Sequence, residues 1–341
     1  MKAIRLHHYE ELPIVEEVAE PRVTGPNDVI VRIGGAGLCR TDLHIIEGQW
    51  AEKSNVVLPY TLGHENAGWV HEIGSAVSHV AVGDTVIVHP LITCGFCRPC
   101  RAGDDMHCIN QSFPGISVDG GMANFLKTTA RAVVKLDPVL APKDIAALAD
   151  AGLTAYHAVK KASKLLYPGT KVVVIGAGGL GHIGVQCLKA LTPAEIIVID
   201  RSSAALALTS QWGANYPVLA DGTQVAKVLE ITDGQGADAV IDFVGEQGAE
   251  RDAVKMLRRA GSHFIVGYGG ILQVPTIDII SAEINFIGNL VGSYNDLVEL
   301  MTLTAQGKVK LHTAVYPLDA ALDAISDLNA GKLRGRGILV P

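Results

Sequence analysis

Four cysteines, Cys94, Cys97, Cys100 and Cys108, follow one another as C-x2-C-x2-C-x7-C. Four thiolates on a short loop suit a closed tetrahedral zinc site, which shapes a lobe and leaves no position for chemistry. A pair of disulfides is the plain alternative. An iron–sulfur cluster shares the C-x2-C-x2-C run, but the usual Cys-Pro ending is missing. A second pattern, G-x-G-x-x-G, runs through Gly176, Ala177, Gly178, Gly179, Leu180 and Gly181. Glycines there allow a tight turn and close approach of a pyrophosphate, with a helix N-terminus offering free N–H groups to the anion. Asp200 follows after roughly twenty residues, where an acid accepts both ribose hydroxyls and repels a 2′-phosphate. That favours NAD over NADP, although Arg201 beside it weakens the preference. A third set, Cys39, His64, Glu65 and Asp150, has the donor types of a catalytic zinc with one open position. Spacing alone does not single it out: Cys39 also reads as a small buried hydrophobe, and His64-Glu65 as a surface pair.

The elements around these residues fall into three stretches. From 1 to about 150, short β-rich runs such as Val29–Ile33, Ala67–Val70 and Thr85–Val88 are broken by Gly and Pro, the pattern of a barrel-like all-β body. From about 151 to 290, apolar runs at Val172–Ile175, Ile196–Ile199, Ala239–Phe243, His263–Val266 and Ile284–Ile287 alternate with helical segments. After the glycine turn, Leu180, Ile183, Cys187, Leu188 and Leu191 keep the 3.6-residue period of an amphipathic helix, so Cys187 reads as core. Continuous apolar strands alternating with helices predict a parallel sheet covered on both faces. Beyond 290 the pattern predicts helices at Tyr294–Ala305 and Asp319–Asn329 and a last strand at Gly337–Val340, without deciding which domain they join.

Taken in order, Gly37-x-Cys39-x-Thr41-Asp42-x-His44, Gly63-His64-Glu65, the four-cysteine loop, Gly152–Tyr156 and the glycine turn give the chain a specific resemblance to the zinc-dependent medium-chain alcohol dehydrogenases over essentially its full length. The resemblance implies an α/β protein: a GroES-like catalytic domain from 1–150 and 291–341, and a Rossmann doubly wound domain from 151–290. It implies NAD and two zinc ions per chain, with Cys39 and His64 on the catalytic one. Many members carry a cysteine where this chain has Asp150. Bacterial secondary-alcohol dehydrogenases are similar to it in using aspartate there, which leans toward secondary alcohols and ketones, with primary alcohols also accepted. If Asp150 does not bind, Glu65 is the nearest substitute. By the same resemblance Thr41 holds the substrate oxygen, His44 receives the proton through a cofactor ribose hydroxyl, and Asp42 orients His64 or a nearby basic group. Arg336 lies by the cofactor pyrophosphate, Thr154 and Val266 lie along its nicotinamide half, and Trp50 and Leu91 line the substrate pocket. His7, His8, His71, His79, His263 and His312 have no motif around them.

The 341 residues are enough for two domains, and 48% apolar content is enough for two cores. The net charge of −7 speaks against nucleic-acid binding. No apolar run reaches membrane-helix length, and the N-terminus lacks a signal-peptide core. These features predict a cytoplasmic protein acting on a small molecule, as a homo-oligomer, tetramer before dimer. Competing readings are a polyol or threonine-type dehydrogenase, a non-catalytic zinc-knuckle binding module, and a zinc-free quinone reductase.

Overall fold

The computed structural model describes residues 1–341. The chain divides into two units: Met1–Leu153 with Ser293–Ala305 and Leu311–Pro341, and Thr154–Gly292 with Gln306–Lys310. The boundaries expected at 150/151 and 290/291 thus fall at 153/154 and 292/293. Residues 306–310 leave the tail for the second unit because Gln186 donates to Lys310 O at 3.0 Å and accepts from Lys310 N at 2.9 Å.

In the first unit Asp28–Leu38 is the long strand, buried at all but two positions. It lies in a seven-stranded sheet ordered Thr313–Pro317, Arg336–Val340, Asp28–Leu38, Glu65–Ile73, Thr85–Val88 and Val133–Lys135, with Phe125–Thr129 also paired to Asp28–Leu38. A smaller sheet holds Ile14–Glu17, Lys2–Leu6 and Tyr60–Thr61. Val31, Leu38, Leu62, Met122, Ile325 and Leu339 belong to one buried cluster, so both ends of the chain share this core. The register then matters for function. Leu38 pairs with Gly337 and Gly37 with Ile338 on one side, while Gly37 pairs with Glu65 on the other. Cys39, His64-Glu65 and Arg336, far apart in sequence, therefore meet at one end of one sheet.

In the second unit six strands, all parallel, are ordered Tyr216–Leu219, Glu195–Asp200, Lys171–Ile175, Ala237–Asp242, Leu257–Ile265 and Asn285–Gly288. Numbered along the chain this is 3-2-1-4-5-6, the doubly wound order whose reversal beside the first strand opens a ligand crevice at the strands' carboxyl ends. Val173, Ile197, Val240 and Met256 form its core. The Tyr216–Leu219 strand escaped the sequence reading: it holds Pro217 and lies at the sheet's edge, where a missing N–H is tolerated and periodicity is weak. No helix is long and apolar enough to cross a membrane.

Candidate metal centres and dinucleotide site

Cys39 ends the long strand and precedes the helix Arg40–Ile46. Its N–H donates to Asp42 Oδ2 at 2.8 Å, and Asp42 Oδ1 lies 3.3 Å from His64 Nδ1. One fully buried carboxylate thus fixes the backbone of one donor and the ring of another. Burial opposes a charge on His64, but Asp42 outweighs it and pulls the ring's protonation well above the ordinary histidine range. Asp42 faces Nδ1, so the ring is held with Nε2 turned toward Asp150.

His64 Nε2 is buried without a hydrogen-bond partner and faces Asp150 Oδ2 at 3.5 Å. Ligand atoms of Cys39, His64, Glu65 and Asp150 all lie within 4.8 Å of one another. Ligands held at ~2.0–2.3 Å around a tetrahedral ion stand about 3.5 Å apart, and a soft sulfur, an imidazole and a carboxylate are zinc donors. The residues present fit a zinc ion.

Glu65 Oε1 accepts the N–H of Ala151, the first residue of the helix Ala151–Ser163, at 3.0 Å. Its Oε2 accepts from Arg336 Nη2 at 2.5 Å. Burial raises the Glu65 carboxyl above its ordinary value, against the pull of Arg336. Gly37 explains how the side chain fits: a Cβ there would stand 2.0 Å from Glu65 Oε2. Arg336 has a partner that the sequence reading did not foresee. It is buried, pairs with Glu65, and also interacts with the Cys39 side chain, so its guanidinium is tied to the metal cluster. The partner lies 271 residues away and no local motif announces it.

Thr41 and His44 are half-buried, three residues apart on one face of the Arg40–Ile46 helix. Trp50 packs against the first unit's core and Leu91 is 2% exposed beneath the surface.

The four-cysteine loop brings its sulfurs within the same 4.8 Å limit. Cys97 Sγ is 3.4 Å from Cys100 Sγ, and the N–H groups of Cys97 and Phe96 point at Cys94 Sγ from 3.4 and 3.5 Å. Those donors bring the Cys94 thiol down to about 6, while burial and its neighbours push Cys100 up to about 12. N–H groups aimed at closely set sulfurs stabilise thiolates, and the donor set fits a second, closed zinc site.

In the second unit the glycine turn joins Lys171–Ile175 to the helix Gly181–Leu191. A Cβ on Gly181 would lie 1.7 Å from Gly176 O, so only glycine closes this turn, whereas Gly178 faces open space. Gly179 and Leu180 complete it, Leu180 as the residue that starts the helix. Asp200 ends its strand beside the turn, Oδ2 accepting from Ala177 N–H and Oδ1 from Ser202 N–H, both at 2.7 Å. A cavity of about 470 Å³ is lined by Gly176, Asp200, Arg201, Val244, Gln247 and Asp252. Arg201 donates to Gln247 there. Val266, half-buried, donates its N–H to Asp242 O at 3.0 Å. Thr154 is half-buried in the helix Ala151–Ser163.

Two family models match the chain: the alcohol dehydrogenase GroES-like domain over residues 25–138 and the zinc-binding dehydrogenase domain over 179–306. The chain belongs to the zinc-dependent medium-chain alcohol dehydrogenase family. It is an oxidoreductase of that family, built on a GroES-like and a Rossmann-like domain. A family relative, the NAD-dependent alcohol dehydrogenase of Sulfolobus acidocaldarius, is 37% identical over 99% of both chains. The solved alcohol dehydrogenase of Aeropyrum pernix is 47% identical, with a TM-score of 0.97 over the full length of both. The D-arabinose 1-dehydrogenase (NADP(+)) of Saccharolobus solfataricus is 36% identical over 100% of this chain and 97% of its own.

Proposed function

We propose that this family member oxidises alcohols to ketones or aldehydes with NAD, reversibly and with secondary alcohols favoured. The observation that carries the reading is the buried, unpartnered His64 Nε2 in a cluster with Cys39, Asp150 and Glu65. Cys39, His64 and Asp150 would hold the catalytic zinc and the four-cysteine loop a second one. Bound zinc supplies a Lewis acid for the alcohol oxygen, and bound NAD a hydride acceptor. The chain's own residues do the rest. Asp42 holds His64 with Nε2 turned toward Asp150, Thr41 hydrogen-bonds the substrate oxygen, and His44 carries the proton outward from the same helix face. Asp200, its carboxylate held by two N–H groups, presents a fixed negative charge to a ribose and disfavours a 2′-phosphate. Glu65 stands by as an alternative ligand, restrained by Arg336 and Ala151 N–H.

A sugar or polyol substrate is the second reading. It is favoured by the likeness to the D-arabinose 1-dehydrogenase, whose printed NADP(+) also bears on Arg201. For assembly, the Asn285–Gly288 strand at the sheet's edge and the exposed Ile277 and Ile280 support a homo-oligomer. Six cysteines outside any disulfide support a reducing, cytoplasmic setting.

The test is NADH formation across primary alcohols, secondary alcohols, polyols and threonine, on protein whose zinc per chain has been counted. Two zincs with turnover highest on secondary alcohols are expected. One zinc and no turnover on any substrate overturns the reading.

A further inference from the structure

Asp242 and His263 are fully buried, ionisable residues of the second unit that take no part in the zinc clusters or the glycine turn. Asp242 is the last residue of the strand Ala237–Asp242. Its Oδ1 accepts the N–H groups of Val244 and Gly245, both at 2.9 Å. Its main-chain oxygen accepts the N–H groups of Val266 and Gly267, both at 3.0 Å. One residue therefore ties together the loops that leave two adjacent strands. Oδ2 faces His263 Nε2 at 3.8 Å, and neither His263 nitrogen has a hydrogen-bond partner.

The two loops touch through their backbones. A Cβ on Gly245 would lie 2.1 Å from the Gly267 carbonyl, and one on Gly267 would lie 2.3 Å from Val244 C. Such contact holds only while the N–H groups on both sides are satisfied, because a buried, unpaired donor is costly. Val244, Glu246 and Gln247, on the loop that Asp242 caps, line the 470 Å³ cavity. An apolar residue would serve a sheet core at position 242 equally well. A carboxylate is costly there unless its oxygens are used; Oδ2 has no hydrogen-bond partner, so what offsets that cost is Oδ1, used by loop N–H groups at the cavity.

We propose that Asp242 is a positioning residue for cofactor binding: by accepting from Val244 and Gly245 while Val266 and Gly267 hang on its carbonyl, it holds the cavity-lining loop 243–247 in binding shape, braced against the neighbouring loop. The inference rests on the reading of this cavity as the dinucleotide site. It is tested with Asp242→Ala, which removes the acceptor, and Asp242→Asn, whose amide oxygen replaces it. NADH binding is measured by fluorescence titration, together with alcohol KM, zinc content and melting temperature. The Ala variant is expected to weaken NADH binding by about tenfold, and the Asn variant to stay within about threefold of the parent. Alcohol KM and zinc content should not move. Should the Ala protein fail to fold, Asp242→Val, which also lacks an acceptor, takes its place with the same expectation. NADH binding by the Ala or Val variant within about twofold of the parent overturns the inference. So does equal weakening in the Asn variant, or a loss of NADH affinity matched by losses in zinc and alcohol KM. If the unsubstituted protein itself binds no NADH, the failure belongs to the proposed function instead.

Discussion

Single side chains carry the chemistry, and their roles separate by substitution. Asp150→Ala should lose one zinc and nearly all turnover while the other zinc stays, counted by metal analysis; full activity would sink Asp150 as a ligand. The Glu65–Arg336 pair makes a different prediction. Both are buried, so Arg336→Met leaves a carboxylate uncompensated and should cost roughly 3–5 kcal/mol in a denaturant titration. Adding Glu65→Gln should restore much of that, because removing both charges removes the uncompensated one. Asp28 supplies the pH dependence. Burial works to raise its carboxyl, but Lys127 and the N–H groups of Thr24 and Gly25 bring it down to about 2. A depressed folded-state value gives stability that is full above the unfolded value near 4 and lost as pH falls toward 2. Asp28→Asn should therefore be less stable than the parent by about 2 kcal/mol at neutral pH, with the gap closing between about pH 4 and pH 2. A gap constant down to pH 2 would contradict this.

At the scale of elements, strand register assembles the site. Val29–Ile33, Thr85–Val88 and the tail helix Tyr294–Ala305 are legible because short β-branched apolar runs and helical patterning mark segments that are buried. Periodicity says nothing about which strand lies beside which. The pairings Gly37 with Glu65 and Leu38 with Gly337 were therefore invisible, and with them the pairing of Arg336 with Glu65. The four-cysteine loop was legible because its donors are neighbours in sequence. Cys100→Ala should release that loop's zinc and expose residues 94–108 to proteolysis while the zinc on Cys39 and His64 remains. Loss of both zincs together would show that the two clusters are not independent.

At the scale of the whole molecule, two cores stabilise two units, and the proposed assembly joins the edge of the second unit's sheet to a copy of itself. Ile280 is 70% exposed, a position where a charge disturbs no core. Ile280→Glu should shift the mass measured by light scattering from a multiple of 35.9 kDa toward a single chain, with far-UV circular dichroism unchanged. An unchanged multiple would move the interface elsewhere.

Local patterns in the amino-acid order are sufficient for the four-cysteine cluster, the glycine turn with its acid, the β-rich and α/β halves and the family. Each is written in residues close together, where spacing constrains geometry directly. The tertiary structure alone decided that Asp42 holds the Cys39 backbone while it faces His64, that Glu65 is held between Arg336 and a helix N–H, and that Asp242 joins two loops. The physical reason is that such contacts are made between segments brought together by a shared core, and buried charges and N–H groups find partners only once the sheet register has closed.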